Sequence, residues 1–181
     1  MRTTADELVD ATNVLVLGSS DSTGPPPLPP VERVLLVTFS DPPDELLANV
    51  RAEASPREAR IVAVGDGARS AAAADAADVG PLTTVEHPAD LTELGIRVGQ
   101  TLDDWGDESL LVDFHSVTAL LEHTTVERSF RFLHVLTGQL SKAGATAYFH
   151  LDPEANDQSA VATVRPLFDE VLRYDEEWQV Q

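Results

Sequence analysis

Short apolar runs alternate with helix-forming segments along almost the whole chain, and this alternation constrains the fold more than any other feature. The clearest runs are Asn13–Gly18, Glu32–Phe39, Arg60–Val64 and Ala145–Leu151. Each run is short, mainly apolar and bounded by turn-forming residues, which is typical of a buried strand. Strands that alternate with helices favour a mostly parallel sheet with right-handed crossovers and helices on its faces. We therefore expect an α/β fold.

The stretch Ser109–Ser116 is expected to contain the central strand and to mark the functional edge of the sheet. Its apolar residues lead to Asp113, His115 and Ser116, and a helix is predicted to begin directly afterwards. In open α/β sheets, ligands bind at the carboxyl ends of the strands, where loops and helix N-termini converge. The sequence therefore predicts where a ligand would bind, without naming its chemistry.

The loop after the first strand, residues 19–31, is rich in small residues and proline. A strand followed by a glycine-containing loop is the layout of a phosphate-binding loop, with Gly18, Ser19, Ser20 and Gly24 as candidate residues. A working Walker A loop needs a lysine, which this loop lacks, and its prolines have no N–H groups to bind phosphate. We therefore expect a degenerate phosphate loop, no ATP binding and no cofactor.

Acidic residues dominate the charge of the chain. It carries 31 acidic and 12 basic residues, a formal net charge of −19 at pH 7. Such a charge destabilises a compact domain by self-repulsion at low salt, but at molar salt the Debye length falls to about 3 Å. Because the acids are spread along the chain, they favour a protein of a salt-rich cytoplasm over the alternative, a dedicated acidic partner surface. Nucleic-acid binding is not expected, because no basic stripe offsets the repulsion.

Length and composition favour one cytoplasmic domain. The chain has 181 residues, so we expect a single domain over residues 1–181 with its core over about residues 13–174. The absence of cysteine excludes disulfides and thiolate metal sites. No apolar run approaches the roughly 18 residues needed to span a bilayer, and the N-terminus lacks the pattern of a signal peptide. Membrane association is therefore not expected.

The segment that ends at Gly144 has the strongest helix signal. Thr124–Glu127 is typical of a capping box. The apolar residues of the predicted helix form one stripe: Val126, Phe130, Leu133, Leu136 and Leu140. Phe132 and Val135 lie off this stripe. A helix with two apolar faces is either deeply buried or contributes one face to a partner, so we expect protein partners, with a homodimer among the possibilities.

Other segments give more local expectations. Ala68–Ala77 is expected to be either a weak helix or a loop, and Ser159 is expected to cap a helix that Pro166 interrupts. His134 lies within an apolar helix face and is expected to be a packed core residue. The tail, Asp169–Glu177, is predicted to be a final edge strand.

The order of the elements and several motifs resemble the RecA/KaiC-like ATPase core. The wider resemblance rests on these segments: Val37–Ser40, Leu111–Ser116, Phe130–Leu133 and Ala143–Thr146. Further motifs resemble, more closely, an uncharacterised haloarchaeal family of KaiC-like domains without a functional P-loop: Val64–Asp66, Asp90–Thr92, Phe114–Leu121 and Phe130–Gly138. The resemblance extends from about Asn13 to Tyr174.

The resemblance implies roles for the central strand. Asp113 falls on the Walker B position of the superfamily, with Ser116 nearby. In an ATPase this acid helps to hold Mg²⁺ beside the phosphates, but the degenerate loop leaves it no nucleotide to act on. By analogy of fold, we expect a non-catalytic regulatory, signalling or assembly module of a halophilic archaeon that acts through protein–protein contacts.

The alternative is a nucleotide-binding or metal-dependent enzyme that uses the strand ends. Asp113 and His115 share one face of their strand, while His150 and Asp152 end another strand that could lie alongside. Two histidines and two carboxylates could hold Zn²⁺, Mn²⁺ or Fe²⁺, or supply an acid–base pair. No compact ligand motif is present. The competing interpretation is therefore that the histidines form hydrogen bonds near the sheet edge and that the aspartates cap loops.

Overall fold

The computed structural model describes residue 4, residue 8 and residues 10–19, 25–66, 81–106 and 109–181. In chain order the elements are β1 (Asn13–Leu17), β2 (Arg33–Thr38), α1 (Pro43–Ala54), β3 (Glu58–Val64), β4 (Leu82–Val85), α2 (Leu91–Trp105), β5 (Leu110–His115), α3 (Val117–His123), α4 (Val126–Lys142), β6 (Thr146–Leu151), α5 (Gln158–Val164), a 3-10 turn (Arg165–Leu167), β7 (Glu170–Asp175) and β8 (Glu177–Val180). The prediction for Ala68–Ala77 lies outside the described residues.

The described strands form one sheet in the order β4-β3-β2-β5-β6-β1-β7-β8. Neighbouring strands are parallel except for β7 and β8, which are antiparallel. The predicted α/β fold, a mostly parallel sheet flanked by helices, is confirmed. β5 and β6 lie side by side in the middle of the sheet, and Asp113 of β5 is aligned with Tyr148 of β6. The strands that carry His115 and His150 are therefore neighbours.

The two faces of the sheet bury different sets of side chains. Along β2, Leu35 and Val37 pack into the larger core on one face, whereas Val34 and Leu36 pack on the other face. Burial on both faces explains why the strand is a continuous apolar run. The larger core also contains the buried apolar residues of α2, α3 and α4. The opposite face packs against α1 and, through Leu28, against the proline-containing segment.

The helix starts follow capping and macrodipole signals in the sequence. α1 begins with Pro43 and has Asp44 and Glu45 in its first turn. Proline suits the first helical position because its missing N–H has no partner there, and the acids interact favourably with the positive helix end. At α2, the Oδ1 of Asp90 accepts a hydrogen bond from the N–H of Glu93 at 3.0 Å. Local chemistry therefore determines where these helices begin.

The cap of α4 differs from the sequence prediction. Thr125 is the N-cap, and its Oγ1 accepts a hydrogen bond from the N–H of Arg128 at 3.2 Å. The capping box predicted over Thr124–Glu127 is therefore wrong, because Thr124 ends α3 instead. Neither α4 nor any other described helix has the length and apolar character needed to cross a membrane.

The apolar stripe of α4 is confirmed at its centre, where these residues are buried: Leu133, Leu136 and Leu140. Val126, at the start of the stripe, is 37% exposed. Phe132 packs against the core, whereas Val135 is 58% exposed. The prediction that His134 is a core residue is wrong, because α4 turns it to solvent, where its ring stacks on Phe130 with ring centres 6.2 Å apart.

Helix α5 begins with a different cap from the predicted one. The Oδ1 of Asp157 accepts a hydrogen bond from the N–H of Ser159 at 3.4 Å, so Asp157 is the N-cap and the prediction of Ser159 is wrong. Aspartate and serine are comparably good caps, so their spacing alone does not choose between them. Pro166 interrupts the helix as predicted, and the chain continues as a 3-10 turn.

The C-terminal region differs from the single edge strand predicted over Asp169–Glu177. β7 pairs with β1 on one side and with β8 on the other, so β8 forms the edge. The chain reverses at Glu176, whose φ is 65°. Trp178 of β8 then packs edge-on against Tyr174, with ring centres 5.2 Å apart. The extra strand therefore pairs with β7 and contacts it through this aromatic pair.

Candidate functional site

Asp113, His115 and His150 form a compact group at the carboxyl ends of β5 and β6, which we call the histidine cluster. The Nε2 of His115 lies 3.1 Å from Oδ2 of Asp113, and the Nε2 of His150 lies 2.6 Å from Oδ1 of the same carboxylate. The two imidazole rings stack with their centres 3.7 Å apart and their planes 19° from parallel. One carboxylate therefore bridges two stacked imidazoles.

The strand register brings these side chains together. Asp113 is aligned with Tyr148, and both strands run in the same direction. Two residues further along each strand, His115 and His150 occupy matching positions on the same face, because side chains alternate between faces with a period of two. The sequence prediction that the strands carrying His115 and His150 lie alongside each other is confirmed. Both histidines form hydrogen bonds, as the competing interpretation expected, but they lie at the carboxyl ends of two central strands and not on a lateral edge strand.

Burial and neighbouring charges shift the pKa values of Asp113 and His150. The side chain of Asp113 is 6% exposed, and those of His115 and His150 are 14% and 18% exposed. Burial by itself raises the pKa of Asp113, but the two histidines outweigh burial and hold this pKa well below its usual range. Burial, together with neighbouring His115, lowers the pKa of His150, while Asp113 and Asp41 oppose that shift. The cluster therefore contains an ionised carboxylate beside an imidazole that favours its neutral form.

A cavity of about 450 Å³ opens beside the histidine cluster, at the carboxyl ends of β1, β2, β5 and β6. Its wall contains these ionisable residues: Asp41, Glu45, Asp113, His115, Glu122, His150 and Asp152. Neither lysine nor arginine occurs among its described lining residues. A concave wall with a single sign of charge concentrates the opposite charge, so this cavity favours a cation over a phosphate group.

The predicted phosphate-loop residues divide into two groups. Gly18 and Ser19 line the cavity, whereas Ser20 and Gly24 lie outside the described residues. The N–H of Gly18 donates to the carbonyl oxygen of Leu151 at 3.2 Å and so extends the ladder between β1 and β6. The N–H of Gly18 therefore forms a hydrogen bond within the sheet instead of binding an anion.

Ser116, the predicted neighbour of the Walker-B-like position, is the N-cap of α3. Its Oγ accepts a hydrogen bond from the N–H of Ala119 at 3.2 Å. The peptide bond between His115 and Ser116 is cis. Ser116 lines the cavity but lies outside the group of ligating atoms formed by the histidine cluster.

Asp152 lies in the cavity wall but does not join the histidine cluster. Its Oδ1 accepts hydrogen bonds from the N–H groups of Glu154 at 2.9 Å and Ala155 at 3.4 Å. Its own N–H donates to Oγ1 of Thr118 at 2.8 Å. Asp152 therefore caps the loop after β6, as the competing interpretation of the sequence expected, whereas the carboxylate of Asp113 bridges two histidines.

Sequence reasoning missed two residues beside the cluster. Asp41 follows β2, the neighbour of β5, and lines the cavity; the Oγ1 of Thr38 donates to its carbonyl oxygen at 2.8 Å. Tyr148 is buried two residues before His150, and its Oη donates to the carbonyl oxygen of Pro27 at 2.9 Å. Burial, followed by the charge of Asp113, raises the pKa of Tyr148. Asp41 could have been found as an acid that follows a predicted strand. Tyr148 could have been found because it lies two residues before His150 and therefore on the same face of the strand.

Comparisons with known proteins identify a family and a shared fold. A family model described as a family of unknown function, DUF7504, matches residues 11–174. No curated protein matches the chain. A solved protein from Pyrococcus horikoshii OT3 is 10% identical, with coverage of 93% of this chain and 85% of that chain and a TM-score of 0.58.

Two other solved structures are similar. An uncharacterized Pyrococcus horikoshii protein, in complex with an unknown peptide, is 12% identical; the match covers 97% of this chain and 86% of that chain, with a TM-score of 0.57. An ATPase from the type III secretion system of pathogenic bacteria is 15% identical, with 80% of this chain and 51% of that chain covered and a TM-score of 0.49. The two Pyrococcus proteins share the fold over most of both chains.

Proposed function

This chain belongs to DUF7504, a family of unknown function, so we propose a function from the candidate site itself. The chain is a non-catalytic regulatory or assembly module that acts through protein–protein contacts. It works in the cytoplasm of a halophilic archaeon, where molar salt screens its net charge of −19. The observation that carries this proposal is the acidic cavity at the strand ends, where an ATPase of this type would hold phosphates.

The cavity lacks what nucleotide binding requires. Phosphate groups are bound by backbone N–H groups, lysine or arginine, and a metal ion held beside them. Here the described lining contains acids and histidines but no lysine or arginine, and the sequence from Gly18 to Pro30 contains no basic residue. Asp113, at the position that resembles Walker B, is engaged by two histidines. This arrangement supports a RecA/KaiC-like core with a degenerate phosphate loop.

Exposed apolar residues on two helices support a role in protein contacts. Ile96 of α2 is 53% exposed and Val135 of α4 is 58% exposed. The two helices meet where Gly95 faces Phe132, and a Cβ at Gly95 would lie 3.8 Å from the Phe132 ring. We take a second copy of the chain as the partner of this surface. One structural neighbour, 12% identical, was solved in complex with an unknown peptide.

Light scattering and thermal unfolding at molar KCl test the proposal. We expect no change in Tm with Mg²⁺-ATP, no ATP hydrolysis, and a mass above the monomer that falls on dilution. The double variant Ile96→Ser with Val135→Ser is expected to be monomeric, whereas the control Val126→Ser on the same helix α4 keeps the wild-type mass. Saturable ATP binding that disappears in Asp113→Ala, or a monomer at every concentration, would contradict the proposal.

A metal-dependent enzyme is the second candidate, because the histidine cluster borders a cavity large enough for a small substrate. A catalytic metal needs protein ligands and an open position for water or substrate. The discriminating measurement is turnover of phosphate-ester and amide substrates with and without added Zn²⁺ or Mn²⁺. Metal-dependent turnover that is lost in Asp113→Asn would favour the enzyme, and its absence would favour the regulatory module.

A further inference from the structure

We propose that Asp113, His115 and His150 bind one divalent first-row transition-metal ion, with Zn²⁺ as the type case, at the wall of the acidic cavity. The inference rests on the donor atoms of this cluster and holds whether the chain regulates partners or catalyses a reaction. The ligand proposed for the strand ends is therefore a metal ion and not the phosphates of a nucleotide.

The donor atoms are already gathered. One carboxylate oxygen and one imidazole nitrogen from each histidine lie within 4.8 Å of one another. Around a tetrahedral ion with bonds of about 2.0–2.1 Å, donor atoms lie about 3.3 Å apart. The two nitrogen–oxygen separations, 3.1 Å to Oδ2 and 2.6 Å to Oδ1, are both shorter than this value, so the donor atoms would move apart to admit an ion. Small side-chain rotations would therefore exchange two hydrogen bonds for metal bonds.

The identity of the donors selects the class of metal. Two imidazoles with one carboxylate suit Zn²⁺, Fe²⁺ or Co²⁺, whereas Mg²⁺ and Ca²⁺ prefer all-oxygen sets. His115 and His150 are neighbours across a parallel strand pair, so their spacing is held by the sheet rather than by a flexible loop. The cavity lies on the open side of the cluster and leaves room for water or another ligand.

The electrostatics favour a bound cation. The carboxylate of Asp113 places each of its two oxygens within 3.1 Å of an imidazole nitrogen. Asp41 adds a further negative charge from the cavity wall, and the described lining contains neither lysine nor arginine. A divalent ion would offset these negative charges.

Metal titration with matched variants tests the proposal. Zn²⁺ binding is measured by calorimetry and by metal analysis after dialysis, and Co²⁺ is used as a visible-absorption probe of the coordination. The wild-type chain is expected to bind one ion and to give the absorption bands of a Co²⁺ site with nitrogen ligands. Asp113→Asn, His115→Gln and His150→Gln are each expected to lower the affinity by about 100-fold or more, since even residues that only support ligands change it by about 10–100-fold.

Two variants control for the chemistry of the side chains removed. His134→Gln removes an exposed histidine of α4, and Asp152→Asn removes a cavity carboxylate that caps a loop. Both are expected to keep the wild-type affinity and the Co²⁺ bands. Circular dichroism of each variant without metal checks its folding; if Asp113→Asn does not fold, the two histidine variants decide the test.

Several results would overturn the proposal. Absence of Zn²⁺ binding would leave the histidine cluster as a hydrogen-bonded structural feature only. Unchanged affinity in the folded cluster variants would place the ion elsewhere. Equal displacement by Mg²⁺ would show a diffuse acidic cavity instead of a nitrogen-liganded site. An equal loss in Asp152→Asn would contradict the assignment of the three ligands. ATP binding, which decides the proposed function, is a separate readout.

Discussion

The two ends of the sheet both hold charged side chains, but they use them differently. At the amino end, an arginine cluster comprises these residues: Arg33, Glu58, Arg60, Asp104 and Trp105. Glu58 pairs with both arginines at 3.4 Å, and Arg60 also pairs with Asp104 at 3.0 Å. The guanidinium carbon of Arg60 lies 4.8 Å from the ring centre of Trp105, and that of Arg33 lies 5.6 Å from it. At the carboxyl end, the histidine cluster borders a cavity.

The charged side chains at the two ends of the sheet have different surroundings. In the arginine cluster, each cation has an acid beside it and an aromatic ring below it, so opposite charges offset one another locally. In the histidine cluster, an ionised carboxylate and imidazole nitrogens face a cavity that carries further acids. We expect the first arrangement to contribute mainly to stability and the second to attract a ligand.

Trp105→Ala is expected to give the largest loss of stability. Trp105 is 4% exposed and belongs to the larger core while supporting both arginines. Truncation of a buried tryptophan costs about 3–5 kcal/mol of the free energy of unfolding. Urea unfolding at molar KCl measures this loss, and a Zn²⁺ titration of the folded variant is expected to match wild type. A large loss of Zn²⁺ affinity would mean that the two ends are not independent.

Zn²⁺ is expected to stabilise the wild-type chain but not Asp113→Asn. An ion at 100 times its dissociation constant adds about 2.7 kcal/mol to the free energy of unfolding, which raises Tm by about 5–10 °C in a domain of this size. A chelator is expected to reverse the shift. Arg60→Met, which alters the opposite end, serves as the control and keeps the full shift. The contrast fails if Asp113→Asn responds to Zn²⁺ as wild type does.

Tyr148→Phe is expected to lower stability by about 1 kcal/mol, because the hydrogen bond from its Oη to the carbonyl oxygen of Pro27 is lost. The folded-state pKa of Tyr148 is raised above its unfolded value of about 10. Its contribution is therefore fully present below about pH 10 and is lost as the pH rises toward the folded-state pKa. Unfolding of both proteins between pH 8 and pH 11 measures this, and a constant difference over that range would contradict it.

Arg60→Met is expected to have the smallest effect, about 0.5 kcal/mol at molar KCl. The side chain of Arg60 is 28% exposed and its acid partner Asp104 is 64% exposed, so salt screens the pair. The methionine retains apolar contact with Trp105. The cost is expected to be larger at low salt, and urea unfolding at both salt concentrations measures the change. A loss of several kcal/mol at molar KCl would show that the arginine cluster is not a screened surface network.

The fold class could be predicted because its signals are local. Continuous apolar runs such as Glu32–Phe39 identify buried parallel strands, and start signals such as those at Pro43 identify the helices between them. The missed element, β8, is a short edge strand. Its residue Trp178, which is paired with Tyr174 of β7, directly follows an acidic run. The cap at Thr125 was missed because two adjacent threonines offer the same chemistry. Local sequence patterns therefore predict the presence of the main helices and strands better than the residues at which they begin and end.

The candidate site could be predicted only in part. The sequence places Asp113, His115, His150 and Asp152 at the ends of two strands, but only the pairing of those strands selects which side chains meet. Register brings the first three together, while two backbone N–H groups engage Asp152 in a turn. The spacing of two in each strand was a correct local signal. That β5 and β6 are neighbours depends on the strand order of the whole sheet, which no local sequence pattern specifies.

The proposed metal ion lies at the strand ends between Asp113, His115 and His150. Diffraction data collected on either side of the zinc absorption edge, from crystals grown with Zn²⁺ at molar salt, would locate it. We expect one anomalous peak about 2.0–2.2 Å from one oxygen of Asp113 and from one ring nitrogen of each histidine. No peak at the histidine cluster, or a peak held by other residues of the cavity, would contradict this metal site.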